Sequence, residues 1–232
     1  MRSAADMATR FNAYLQTHLA ENREEIERVH HLFMGARDYT HVYEKCGLLT
    51  PKMMLGHCIH LNTREIAAIA AAQSSIAHCP TSNLFLGSGL IKLDQLMKAG
   101  IPIGLGSDVA AGPELNMWQV MRSAIDVQKA RGAYEPNLRS LRPGEAFYLA
   151  TQGGARALGK AKTIGTLEAG KEADFIVVDL AALAPYGNRG QPLDDLSTED
   201  VVALCIYRGN HHANLATYVR GKCVYQSANS VS

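Results

Sequence analysis

Apolar residues fall along this chain in two alternating textures. Short continuous or alternating runs read as strands, and longer stretches with apolar positions three and four apart read as amphipathic helices. The first pair is AYLQTH (13–18), a strand, and ENREEIERVHHLF (21–33), a helix with Ile26, Val29, Leu32 and Phe33 in helical register and glutamates in its first turn, where they complement the helix dipole. KMMLGHCIHL (52–61) reads as a buried strand, and NTREIAAIAAAQ (62–73) as the helix after it, with Asn62 or Thr63 as cap and Glu65 in the first turn. SSIAHCP (74–80) is strand-like and stops at a proline, and KLDQLMKAG (92–100) is a helix closed by Gly100. IPIGLGSD (101–108) predicts a strand, NMWQVMRSAIDVQKARG (116–132) a long helix, and RPGEAFYLATQGGARALG (142–159) a helical stretch with a glycine interruption.

Strands alternating with helices indicate an α/β fold. Four such units in a row, with polar groups at the strand ends, point to part of a (β/α)8 barrel. A doubly wound sheet is the alternative. GLGSDVAAG (104–112) has its G-x-G, but Asp108 stands where a phosphate would sit and would repel it, which argues against a dinucleotide site. The texture changes after about residue 162. GTLEAGKEADFIVVDL (165–180) carries turn glycines and a β-rich run, ATYVRGKCVYQ (216–226) alternates around an RGK turn as a hairpin does, and APYGNRGQPLDDLS (184–197) is a Gly/Pro/Asp-rich loop. The expected division is 1–162, a partial barrel of four strand–helix units, and 163–232, strands of a small β domain.

Composition narrows the function classes. The 232 residues are 47% hydrophobic and 19% charged, enough for a sizeable core. A net charge of +1 gives no argument for nucleic acid or an anionic membrane surface. No apolar run approaches the roughly 20 residues of a membrane span, and MRSAADMATRFNAY (1–14) lacks the apolar core of a secretory signal. Cys46, Cys58, Cys79, Cys205 and Cys223 form no C-x-x-C pair and read as free thiols in a reducing cytoplasm, with Cys58 and Cys79 as small core residues.

Polar groups fall at the ends of consecutive strands: His18, His57, the set HCPTSN (78–83) and Asp108. A single histidine beside a strand is more often a hydrogen-bonded structural residue, and Asp108 alone would serve equally well as a helix cap. Together, two imidazoles and a carboxylate on one rim suit zinc, which takes nitrogen and oxygen donors and keeps a position open for water. Glu21 is near enough in sequence to reach the same rim as a proton shuttle, or it is a first-turn glutamate on a solvated helix. His78 lies inside its strand and reads as structural, His30, His31 and His41 fall on a surface helix and loop, and His60 fits either reading. His211 and His212 are adjacent and would face opposite ways in a strand, which disfavours chelation.

THLAENREEIERV (17–29), HCPTSNLFLGSGL (78–90), GLGSDVAAG, ATQGGARALG (150–159) and GTLEAGKEADFIVVD (165–179) resemble the metal-dependent amidohydrolase superfamily, and within it the guanine deaminase family. The likeness runs from about Tyr14 to Tyr225; HLAEN, SNLFLGSG and GLGSDVAAG carry the narrower resemblance, and GKEADFIVVD only the broader one. It implies the C-terminal part of a (β/α)8 amidohydrolase barrel, joined to part of a small β-sandwich domain. It implies one zinc per complete site, with His18 and Asp108 as metal ligands. Catalytic roles fall to Glu21, relaying protons to the purine ring, to His57, orienting and polarising the attacking water, and to Asp108, taking the proton of that water. His18, Glu21 and Asp108 would also line the substrate site. The implied reaction removes the 2-amino group of guanine by hydrolysis, giving xanthine and ammonia. The implied setting is a cytoplasmic homodimer with a purine as its small-molecule partner, and with neither nucleic acid nor membrane. The family also has an H-x-H pair after its first strand, and this sequence contains none. The resemblance therefore implies a C-terminal portion holding half of a zinc site.

Overall fold

The computed structural model describes residues 1–184 and 195–228. A helix, α1 (Arg2–Phe11), precedes the first strand, β1 (Leu15–Leu19). Then come α2 (Arg23–Leu32), α3 (Tyr39–Lys45), β2 (Met53–His57), α4 (Thr63–Ala71), β3 (Ser75–His78), α5 (Pro80–Phe85), α6 (Leu93–Lys98) and β4 (Ile103–Leu105). β1 to β4 form one parallel sheet in the order β1-β2-β3-β4. Each strand lies beside the next in sequence. A doubly wound sheet reverses its order at a switch point, whereas a barrel adds each new strand on the same side. The sheet therefore has the topology of part of a barrel.

The strands are short because their polar ends leave the ladder early. β2 closes at His57, and His57 and Cys58 both take positive φ (66° and 55°), which turns the chain off the sheet. The expected caps are present. Asn62 accepts from the Glu65 amide and Glu65 reaches back to Asn62, a full capping box at α4. Gly100, just past α6, takes φ 75°. Glu65 is buried and also accepts from the amide and hydroxyl of Thr40, which ties α3 to the start of α4.

The core lies between the sheet and its helices. Leu19, Met53, Leu55, Ile69, Ile76, Leu93, Leu96 and Ile103 are fully or nearly fully buried there. α7 (Met117–Gly132) turns Val120, Met121, Ala124, Ile125, Val127 and Gln128 inward. Its buried Arg131 pairs with Asp94 at 2.9 Å and Glu135 at 2.6 Å, so the charge is not left alone in the interior. The helical stretch after it is two helices, α8 (Pro143–Ala150) and α9 (Gln152–Ala157). The break falls at Thr151, not at the glycines as the sequence suggested. The glycines serve close packing: a Cβ on Gly104 of β4 would lie 2.9 Å from the Cα of Gly154, and one on Gly153 would lie 3.0 Å from the Ile103 carbonyl oxygen.

The remaining strands, β5 (Phe175–Val178), β6 (Asn214–Val219) and β7 (Lys222–Gln226), make a three-stranded antiparallel sheet. Val219 pairs with Lys222 across a two-residue turn, Arg220–Gly221, with φ 51° and 74°, so the RGK hairpin is present as expected. Most of the loop 184–197 lies outside the described residues. After it comes α10 (Thr198–Arg208), which the β-rich texture gave no reason to expect; it packs on α7 and α8 and buries Ile206 there. The five cysteines are free thiols, and Cys58 and Cys79 are buried as core residues.

Candidate functional site

At the C-terminal ends of the parallel strands the polar residues converge. His18 lies in β1, one residue before its end, His57 ends β2 and Asp108 follows β4. One ligand atom from each of these three lies within 4.8 Å of the others. The His18 and His57 rings are 5.3 Å apart between centroids. Nε2 of His57 is 3.8 Å from Oε2 of Glu21 and 3.9 Å from Oδ2 of Asp108, so one imidazole nitrogen faces both carboxylates. His57 and Asp108 (φ 53°) hold the left-handed backbone without being glycine, a strain that persists where surrounding structure fixes it.

The two ambiguous residues resolve. Glu21 is not a first-turn glutamate: Asn22 caps α2, so Glu21 lies before the helix, only 17% exposed, with Oε1 accepting from Ser88 Oγ at 2.9 Å. Asp108 is not a helix cap: Asn116 caps α7, and the Asp108 carboxylate instead accepts from Ser82 Oγ at 2.6 Å. His57 Nδ1 lies 2.8 Å from Asn83 Oδ1. A carboxamide oxygen accepts, so Nδ1 carries a proton and Nε2 is the nitrogen turned towards the centre. That donor set fits a divalent cation such as zinc: imidazole nitrogen, a carboxylate, and an imidazole held by an outer hydrogen bond.

Other histidines stand apart. His60 donates from Nε2 to the Ser88 carbonyl at 2.8 Å, a structural contact. His30 and His31 are exposed on α2, while His41 lies on α3 and not in a loop. His211 and His212 form a short 3-10 turn with Ala213, not a strand, and their rings face each other at 3.8 Å. Among the described residues, His18, His57 and Asp108 are the one group with metal-binding geometry. Ser82, Asn83 and Ser88 were not singled out from the sequence, although HCPTSN and SNLFLGSG contain them; their contacts join residues far apart in the chain.

His78 ends β3, fully buried, with neither ring nitrogen bonded among the described residues. Burial, and secondarily His57, lower its pKa to about 3. The folded value lies below the unfolded one. Between about pH 6.5 and pH 3 the unfolded chain therefore binds a proton that the native one refuses, and stability falls as pH falls. The expected loss from this group is about 2 kcal/mol between pH 7 and pH 5. His78→Leu should flatten the slope of urea-midpoint against pH by that amount; an unchanged slope would mean that His78 is not the group responsible. Cys79, beside it, is no thiolate nucleophile: burial, with Asp108 and Glu21 nearby, pushes its thiol up to about 12.

The amidohydrolase family profile matches residues 1–221. This chain belongs to the amidohydrolase family. Among curated members it is 38% identical to guanine deaminase of Rattus norvegicus over 233 aligned residues, which cover all of this chain and 51% of that protein. It superposes on the crystal structure of guanine deaminase from C. acetobutylicum with bound guanine at a TM-score of 0.87 and 30% identity, covering 97% of this chain and 51% of that one. It superposes on an adenosine deaminase from Xanthomonas campestris with bound zinc at a TM-score of 0.81 and 28% identity, covering 96% and 47%. The chain thus spans about half the length of the amidohydrolases it matches.

Proposed function

We propose that this chain supplies one half of a zinc-dependent site that deaminates guanine by hydrolysis, giving xanthine and ammonia. The observation that carries the reading is the meeting of His18, His57 and Asp108 donor atoms within 4.8 Å, with the Glu21 carboxylate beside them. On this reading His18 and Asp108 hold the metal, one per site. Zinc bound there would lower the pKa of a water towards neutrality and so make hydroxide available. His57 presents Nε2 to that water and orients it. Asp108 takes the water proton as the oxygen adds to the ring carbon bearing the amine. Glu21 delivers a proton to the neighbouring ring nitrogen, Asp108 passes the water proton to the amine, and the carbon–nitrogen bond then breaks to release ammonia. His18, Glu21 and Asp108 line the space the purine would fill.

The same reading treats β1 to β4 with their helices as the last four units of a (β/α)8 barrel, ending near residue 162. The sheet β5–β7 is then part of a small β-sandwich, with α10 returning to the barrel helices. A cytoplasmic homodimer belongs to the same picture. A second reading has one observation in its favour. The sequence holds no H-x-H pair, so the chain would serve as a catalytically silent interaction module.

A substrate panel tests the first reading. Guanine, adenosine and a chlorinated triazine would be offered to the chain together with a polypeptide supplying the missing histidine pair, and ammonia or chloride release followed. Guanine is expected to be turned over at least tenfold better than the others, measured as kcat/KM. Preference for another ring would move the assignment within the family; inertness towards all three would favour the silent module.

A further inference from the structure

We infer that a single buried segment after β3, carrying Ser82, Asn83 and Ser88, is a positioning bracket that sets the orientation of three site residues at once; this rests on the metal-site reading above. Each residue of the segment holds a group from a different strand end. Asn83 Oδ1 takes the Nδ1 proton of His57 at 2.8 Å, at the end of β2. Ser82 Oγ donates to Asp108 Oδ2 at 2.6 Å, beyond β4. Ser88 Oγ donates to Glu21 Oε1 at 2.9 Å, beyond β1, leaving Oε2 turned to His57.

The bracket is itself rigid. Ser82 and Asn83 are buried in α5, and the Ser88 amide donates to the Asn83 carbonyl at 2.9 Å. The Ser88 carbonyl accepts from His60 at 2.8 Å, and Gly89, at φ 132°, packs so tightly that a Cβ would lie 3.1 Å from the His60 ring. None of these anchors belongs to the site, so the segment's geometry is fixed independently of what it holds. Stability alone does not account for the arrangement. Asn83 Nδ2 and Thr81 Oγ1 are buried without a partner among the described residues, a cost that a purely structural turn would avoid. The satisfied atoms are the ones that face His57, Asp108 and Glu21. Asn83 selects the imidazole tautomer, Ser82 fixes which carboxylate oxygen is shared, and Ser88 fixes which oxygen of Glu21 is free.

The test reads tautomer and metal affinity, not turnover. In the metal-free 232-residue chain, 15N-resolved NMR should show His57 as the Nδ1–H tautomer. Asn83→Ala should make it a mixture, and Asn83→Asp, which still accepts from Nδ1–H, should restore it. Titration with zinc against a chromophoric chelator should show Ser82→Ala, which releases the Asp108 ligand, binding about 10- to 100-fold more weakly. Asn83→Ala and Ser88→Ala should stay within a few-fold of wild type, because neither His57 nor Glu21 is a zinc donor on this reading. An Nε2–H tautomer in the wild-type chain would overturn the inference, because that nitrogen would then point a proton at the centre. An Asn83→Ala chain with unchanged tautomer, or a Ser82→Ala chain with unchanged zinc affinity, would overturn it as well. Neither measurement depends on guanine, so a failed guanine assay leaves the bracket standing, and a failed bracket leaves the guanine assay untouched.

Discussion

Replacing Glu21 with Gln is expected to lower guanine turnover about 100- to 10,000-fold, the usual worth of a positioned proton-transfer group, while bound zinc stays at the wild-type level. The geometry separates the two effects. Glu21 Oε1 is occupied by Ser88 and its Oε2 is 3.8 Å from His57 Nε2. Gln has the same shape and still accepts from the serine, so packing is preserved, but an amide carries no transferable proton. His18→Ala and Asp108→Ala remove donor atoms from the cluster and should lower zinc content and rate together. The measurements are zinc by elemental analysis and ammonia release, on the chain paired with a polypeptide that supplies the histidine pair. If Glu21→Gln loses zinc while His18→Ala keeps it, Glu21 and not His18 is the metal ligand.

Much of this site was legible from local pattern, and the reasons are physical. His57 and Asp108 follow apolar runs that bury β2 and β4, and His18 lies near the end of the alternating run of β1, so the end of each run marks the rim where the side chain must lie. The Asn62 and Glu65 capping box and the Gly100 stop are likewise local chemistry. What the pattern hid depended on distance along the chain. Ser82, Asn83 and Ser88 have no spacing that marks them, because their partners lie 26, 26 and 67 residues away. The helices α1 and α3 are short, ten and seven residues. α10 follows a Gly/Pro loop in a β-rich region, and it is held by its contact with α7 and α8 more than by its own periodicity. Glu21 could be separated from a solvated first-turn residue only when Asn22 proved to be the cap.

The 232-residue chain assayed alone is expected to give no guanine turnover above the uncatalysed background, and to gain it when a separate polypeptide with an H-x-H strand is co-expressed. Catalytic zinc needs at least three protein donors and one open position. On the proposed reading the described residues bring His18 and Asp108 as donors, and His57 Nε2 faces the Glu21 and Asp108 carboxylates at 3.8 and 3.9 Å. If His57 serves the water, two donors remain, and every missing one is replaced by solvent, which weakens binding and leaves the metal mobile. The parallel sheet offers the means of repair. β1 and β4 are the outermost strands of the sheet as described, and barrel strands join through such edges whether or not the connection is covalent. A complementing half barrel would pair there and bring two imidazoles to the rim occupied by His18. Restored ammonia release should be lost with His18→Ala in this chain and with alanine at either histidine of the added pair. Turnover by this chain alone that disappears in Asp108→Ala would show instead that His18, His57 and Asp108 suffice, with His57 as a ligand in its own right.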